Sequence, residues 1–432
     1  MKKYRKIILL VFVLLIVITS FYLGKNFGKE EVYLDERSKQ IKQENTLSMM
    51  LETEAGSGNY EMTTASSWPT EGYVFNSELS KCENGGELSW DDINKKVLMS
   101  GNVSDKCYVY FDVYVPPALA DYVKSLYTGT QGANNIYCHD ANLANGAGDN
   151  SYRYAGASRE VNNYVCFGST ESPCPTNNLY RIIGVFDRQV KLIKATEATS
   201  TLLGTDGAYV SDTTYKWSNL TSCPSDTTAY IKNENLTRLA NKNAMAAADL
   251  AGCNKWKYSD FNKINLNTNY LNNIGTTWSN LIEDTTWKVS GHTTNHVTPS
   301  VMYTKEITNA TKTYGPSDGT SKIGLMYASD YGFAASPSAW TKTLTNYEYN
   351  DVNGTSIKTI NWMYMGHYDW TISPYPTSPS ESDAVFGLFL AGRLSGRLAY
   401  FDYSTRPVLY LKSFVLYDGG LGTKDSPITL VV

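Results

Sequence analysis

Residues 180–195 read YRIIGVFDRQVKLIKA: an apolar run at 180–186, a polar Asp187-Arg188-Gln189, and a second apolar run at 190–195. Strand-like runs divided by turn residues predict a β-hairpin. Downstream, residues 235–251 are alanine-rich and closed by Gly252, while residues 262–274 put Leu266, Tyr270, Leu271 and Ile274 on one helical face ahead of Gly275. Both predict helices, because alanine favours the helix and glycine ends it. A short helix is expected at 277–282. Strand-like runs then return at 323–328, 370–373, 384–391, 397–401 and 407–412, with a turn at 392–396. Pro407 fits a strand start or an edge. The alternation predicts a mixed α+β domain over residues 118–432, opened by a short connecting helix at 118–126. No repeat of 20 to 50 residues occurs, which argues against solenoids and propellers.

Upstream of that domain, residues 71–117 carry strand-like runs at 73–75, 87–90, 96–99 and 107–111, divided by Asn-Gly-Gly and other turn residues. They predict a small β module, too small for a thick core. Residues 29–70 predict a juxtamembrane helix or solvated stalk, followed by a Gly-, Ser- and Thr-rich linker. Residues 1–28 hold Lys2, Lys3, Arg5 and Lys6 ahead of an apolar run from Ile7 to Leu23. As a helix that run spans about 25 Å, slightly short of the hydrocarbon core but tolerable with thinning or snorkelling. Phe21-Tyr22-Leu23-Gly24 is a poor cleavage site, so an uncleaved single-pass anchor is preferred over a removed signal peptide. The basic residues put a cytoplasmic tip inside the cell membrane and the bulk of the chain outside.

Seven cysteines lie between positions 82 and 253, all beyond the anchor, where an oxidising compartment favours pairing. Spacing pairs Cys82 with Cys107, Cys166 with Cys174 and Cys223 with Cys253, and leaves Cys138 over. The net charge of -4, from 38 basic and 42 acidic residues, lacks the excess that nucleic acid would call for. The 33 tyrosines suit half-buried strands and adaptable binding surfaces.

No Cys-x-x-Cys, Gly-x-Ser-x-Gly, phosphate loop or dinucleotide fingerprint is found. His292 and His296 are four apart in a Gly- and Thr-rich stretch without the Glu of a metalloprotease. Cys138 beside His139 is a poor nucleophile–base pair, since sequence neighbours do not generally face each other. Carboxylate pairs such as Glu283 and Asp284, or Glu381 and Asp383, mean nothing without geometry. Residues 138–154 form a loop dense in oxygen donors, and Asp140, Asn142, Asn145 and Asp149 make it a calcium candidate, although their spacing misses the EF-hand pattern and no other cofactor is indicated. Trp362, Tyr364, Tyr368, Trp370 and Tyr375 crowd one segment; they are either a ligand platform for a glycan or surface protein, or a core beneath a loop.

YRIIGVFDRQVKLIKA, LNTNYLNNIGTTWSNLI (266–282) and GRLSGRLAYFDYSTRPVLYLKS (392–413) resemble an uncharacterised group of membrane-anchored surface proteins of Gram-positive gut-type bacteria. WPTEGYVFNSELSKCENGGELSW (68–90) and VSDKCYVYFD (103–112) look like the N-terminal module of the same group. Its motifs carry no assigned activity. Trp370, the stretch from Gly387 to Gly396, and Arg406-Pro407-Val408 are similar to the end of C-type-lectin-like domains of the sulfatase-modifying-factor kind. That second resemblance implies a C-type-lectin-like fold for the larger domain. The enzymes of that fold need C-terminal cysteines, and none follows Cys253; the lectin Glu-Pro-Asn motif is also missing. Neither oxidase chemistry nor sugar binding is therefore carried over.

The expected function is a membrane-anchored extracellular surface protein that binds a glycan, wall polymer or protein without catalysing a reaction. A pilin-like or envelope structural component and a wall-polymer-modifying enzyme are the alternatives.

Overall fold

The computed structural model describes residues 32–33, 47–101, 105–218, 256–308, 319–348, 356–375 and 384–432. The anchor at residues 1–28, the helix at 235–251, and Cys223 and Cys253 lie outside these. Among the described residues no helix is long and apolar enough to cross a membrane. Among the described residues the chain is mixed α+β and mostly strand, with two disulfides, and it divides into two compact units between Pro116 and Pro117.

The first unit contains β1 (Val32–Tyr33), β2 (Leu47–Glu52), β3 (Tyr60–Met62), β4 (Tyr73–Cys82), β5 (Glu87–Asp91), β6 (Lys96–Ser100) and β7 (Cys107–Val113). They form a four-stranded sheet, β3-β2-β7-β4, and a three-stranded sheet, β1-β6-β5. Residues 47–52 and 60–62, expected as helix or stalk and linker, are strands instead. Leu47, Met49 and Leu51 alternate onto the core with a period of two, and β2 runs parallel to β7 in register from Leu47 opposite Cys107 to Leu51 opposite Phe111. Trp68, also assigned to the linker, is buried against Phe111. Glu52 fastens this added edge: its carboxylate accepts from the Gly58 and Val113 amides. The Cys82–Cys107 disulfide closes β4 onto β7, with Cα atoms 4.0 Å apart.

The second unit contains β8 (Ile136–Cys138), β9 (Tyr152–Tyr154), β10 (Tyr164–Cys166), β11 (Leu179–Phe186), β12 (Gln189–Lys194), β13 (Tyr209–Ser211), β14 (Thr214–Lys216), β15 (Thr285–Trp287), β16 (Gly319–Ser321), β17 (Ile323–Gly324), β18 (Asp369–Pro374), β19 (Ala384–Leu388), β20 (Leu394–Leu398), β21 (Asp402–Ser404), β22 (Val408–Tyr410), β23 (Tyr417–Gly419) and β24 (Thr429–Leu430). Its central sheet runs β17-β22-β12-β11-β9-β8, with β10 also on β11. A second sheet runs β13-β14-β21-β18-β19-β20.

The hairpin at 180–195 is β11 and β12, but its turn is one residue shorter than expected. Phe186 pairs with Gln189, so Asp187-Arg188 is a two-residue turn, and Asp187 takes the positive φ of 55° that such a turn favours. Nearly every residue of both strands is buried, so each face of the hairpin is covered. Gly184 sits where β9 crosses most closely; a Cβ there would lie 2.3 Å from the Tyr152 carbonyl oxygen.

Three connecting elements differ from expectation. Residues 262–274 are a π-helical run, Phe261–Tyr270, continued as α-helix by Leu271–Ile274. The run at 323–328 is a two-residue strand that leads into the helix α1 (Ala328–Ala334). The β19–β20 turn lies at residues 389–393 rather than 392–396, because Leu388 pairs with Leu394.

Candidate functional site

A hairpin covered on both faces must bury whatever charges it carries, and such charges need partners. Lys191 of β12 is wholly buried and its Nζ lies 2.5 Å from Oδ2 of Asp330 on α1, itself 3% exposed. Asp330 is held there as the third residue of α1, where Oδ2 also accepts from the Tyr327 amide at 2.9 Å and so caps the helix. Tyr327, Tyr410, Phe186 and Trp287 place their ring centroids 4.5 to 5.9 Å from Nζ and close it off from water.

Arg153 of β9 enters the same space. Its Nη2 is 2.6 Å from Asp149 Oδ2, its Nε donates to Ser151 Oγ, and its Nη1 is 3.7 Å from Asp330 Oδ1. Burial alone would lower the guanidinium, and the Asp149 and Asp330 charges reverse the sign, so it is held above its ordinary value. Burial pushes Lys191 down, and the Asp330 charge offsets only part of that. Two cations and two carboxylates thus balance, with only Asp149 partly open to solvent.

Glu306 adds a fifth ionisable group. It is fully buried and accepts from the Ala328 and Ser329 amides, the first two of α1, and from Ser373 Oγ. Burial, only partly countered by these donors, raises its carboxyl to about 7. His139 stands nearby against Phe333 and Trp340, with Nδ1 accepting from the Ala147 amide; burial and Arg153 hold it neutral.

The aromatic segment is split. Trp362 and Trp370 are 1% and 0% exposed, and their indole N–H groups donate to the Tyr154 and Tyr215 carbonyls. Neither is a ligand platform here. Trp370 stacks on Tyr403, while Trp362 packs 4.7 Å from the buried Arg181 guanidinium, which burial lowers to about 10. Tyr375 rests edge-on against Phe386.

Tyr364 and Tyr368 reach the surface. Tyr364 donates its hydroxyl to the Leu390 carbonyl, and Tyr368 packs against Phe389 and Tyr403. Arg397 lies 4.1 Å over the Phe389 ring. Tyr368 is 38% exposed and Leu390 47%, so the surface around Phe389 is apolar and edged by Arg397; Phe401, 42% exposed, packs against Tyr400.

In the calcium-candidate loop both carboxylates are already engaged. Asp140 accepts from the Asn142 and Leu143 amides, Asn145 is a positive-φ turn residue, and Asp149 faces Arg153. Among the described residues no three His, Cys, Asp or Glu side chains gather as metal ligands would. The Cys166–Cys174 disulfide closes the loop between β10 and β11, and Cys138 is a free thiol at the end of β8.

Sequence reading missed Lys191, Arg153, Asp330 and Glu306. The available signal was a charge inside an apolar run, as in the VKLI of residues 190–193 and the ASDYGFA of residues 328–334. No protein-family model, curated protein or solved structure matches the chain.

Proposed function

We propose that the chain is a membrane-anchored surface protein whose second unit binds an extracellular glycan, wall polymer or protein through the face of Tyr364, Tyr368, Phe389, Leu390 and Arg397. The observation that carries this reading is the pair of disulfides, one in each unit. Disulfides persist in oxidising compartments, and the basic residues before the apolar run at Ile7 to Leu23 orient the chain towards one. The resemblance to surface proteins of Gram-positive gut-type bacteria supports the same placement.

Support for the binding face is its chemistry. Aromatic side chains beside arginine supply contact area at low entropic cost, with a charged rim for orientation. Lys191, Asp330, Arg153 and Glu306 are buried together, which suits a core role better than turnover of a polymer.

Full-length protein is to be screened on glycans, peptidoglycan and matrix proteins. Expected is a ligand whose affinity falls about tenfold or more in the Tyr368→Ala, Leu390→Ala double variant, in line with loss of a hot spot of about 1–2 kcal/mol. Turnover of a wall polymer in place of binding would reverse the reading.

A further inference from the structure

Lys191 and Asp330 hold an amine and a carboxyl in contact, in a space that rings have emptied of water. We propose that Lys191 Nζ and Asp330 Cγ condense to an intramolecular amide joining β12 to α1, with Glu306 carrying the proton. This does not depend on the proposed ligand binding.

Proximity is the first argument. Nζ lies 2.5 Å from Oδ2, which holds the nitrogen beside Cγ, the atom one bond further on. Groups fixed in that way react as though at effective concentrations on the order of 10⁵ M or higher. Dryness is the second, since the Tyr327, Tyr410, Phe186 and Trp287 rings shut out the water that would reverse an amide bond. Polarisation is the third. The Tyr327 amide donates to Oδ2, and Arg153 Nη1, a buried nitrogen with no hydrogen-bond acceptor, lies 3.7 Å from Oδ1. Arg153 is thus placed to take up negative charge that develops on Oδ1. Glu306 sits on the Ala328 and Ser329 amides, the two residues that precede Asp330 on α1, where its charge bears on Lys191 and that of Asp330 bears on it. Burial favours the neutral amine of Lys191 and raises Glu306 to about 7, so a carboxyl in that place both accepts and returns a proton at neutral pH.

The structure holds the starting ion pair. Transfer of one proton from Lys191 to Asp330 gives amine and carboxylic acid. The Nζ lone pair then bonds to Cγ, and the C–O π pair moves to Oδ1. Glu306 takes a proton from the nitrogen and returns it to the departing hydroxyl; the Cγ–O bond breaks, water leaves, and Glu306 is restored. The sum is one amide and one water, with no oxidant or second reactant.

Other buried cations lack this arrangement. Lys194 donates to the Asn177 carbonyl, not to a carboxyl, and Arg406 meets Asp369 with a guanidinium, a poor nucleophile.

The test is peptide mass spectrometry on full-length protein, reduced, denatured and digested. Expected is a branched peptide joining the Lys191 and Asp330 segments, lighter than their sum by one water. Lys191→Arg and Asp330→Ala should give only linear peptides. Glu306→Gln should do the same while keeping its native near-ultraviolet circular dichroism. Recovery of both residues in unmodified linear peptides from folded wild-type protein would overturn the bond. A branched peptide at undiminished yield from Glu306→Gln would overturn the role of Glu306.

Discussion

Glu306 is a carboxyl fully buried in the core, an environment that its type avoids. Its folded-state carboxyl is raised above the ordinary value of 4.5 to about 7, so the folded protein binds a proton that the unfolded chain has released over that interval. Stability therefore falls as pH rises through the window, by about 3 kcal/mol at full ionisation. Glu306→Gln, which has no charge to bury, should remove most of that slope. Urea titrations at several pH values read it, and parallel slopes in the two proteins would contradict the assignment. Trp370 and Tyr368 offer a second contrast at this scale. Trp370→Ala should cost about 3 to 5 kcal/mol by opening the core, whereas Tyr368→Ala should change thermal stability little and ligand binding strongly. Equal destabilisation by both would mean that Tyr368 is core as well. The sequence already placed these aromatics together, but nothing in residue type separates an indole that donates to the Tyr154 carbonyl from one that faces a ligand. That distinction depends on what packs over it, and the covering strands come from distant parts of the chain.

At the scale of elements, legibility followed locality. The β11–β12 hairpin could be read because its partners are adjacent in sequence and its turn has only two residues. β2 could not, because its strand character depends on parallel pairing with β7 some 60 residues later. Met50 and Leu51 lay near a helical spacing, and tertiary pairing overrode it. The added strand makes a sharp prediction. Met49→Asp, which puts a charge in the core of the first unit, should cost about 3 kcal/mol or more and expose that unit to protease. A linker would tolerate the change. The Cys82–Cys107 bridge works at the same scale: it closes a separation of 25 residues, and its loss should lower stability by about 3 kcal/mol in denaturant titrations under matched conditions.

For the whole molecule, the α+β class and the two described disulfides were legible because hydrophobic period and cysteine spacing are local signals. The buried cluster was not, since Lys191, Arg153, Asp330 and Glu306 come from four separate segments that only the folded chain brings together. The proposed placement has the molecule anchored by its first residues, with both disulfide-bonded units outside the membrane. Protease treatment of intact cells carrying the full chain with a tag at each end tests it most directly. The account predicts that the C-terminal tag is lost from intact cells while the N-terminal tag stays protected until lysis. A C-terminal tag that survives until the cells are broken would contradict it.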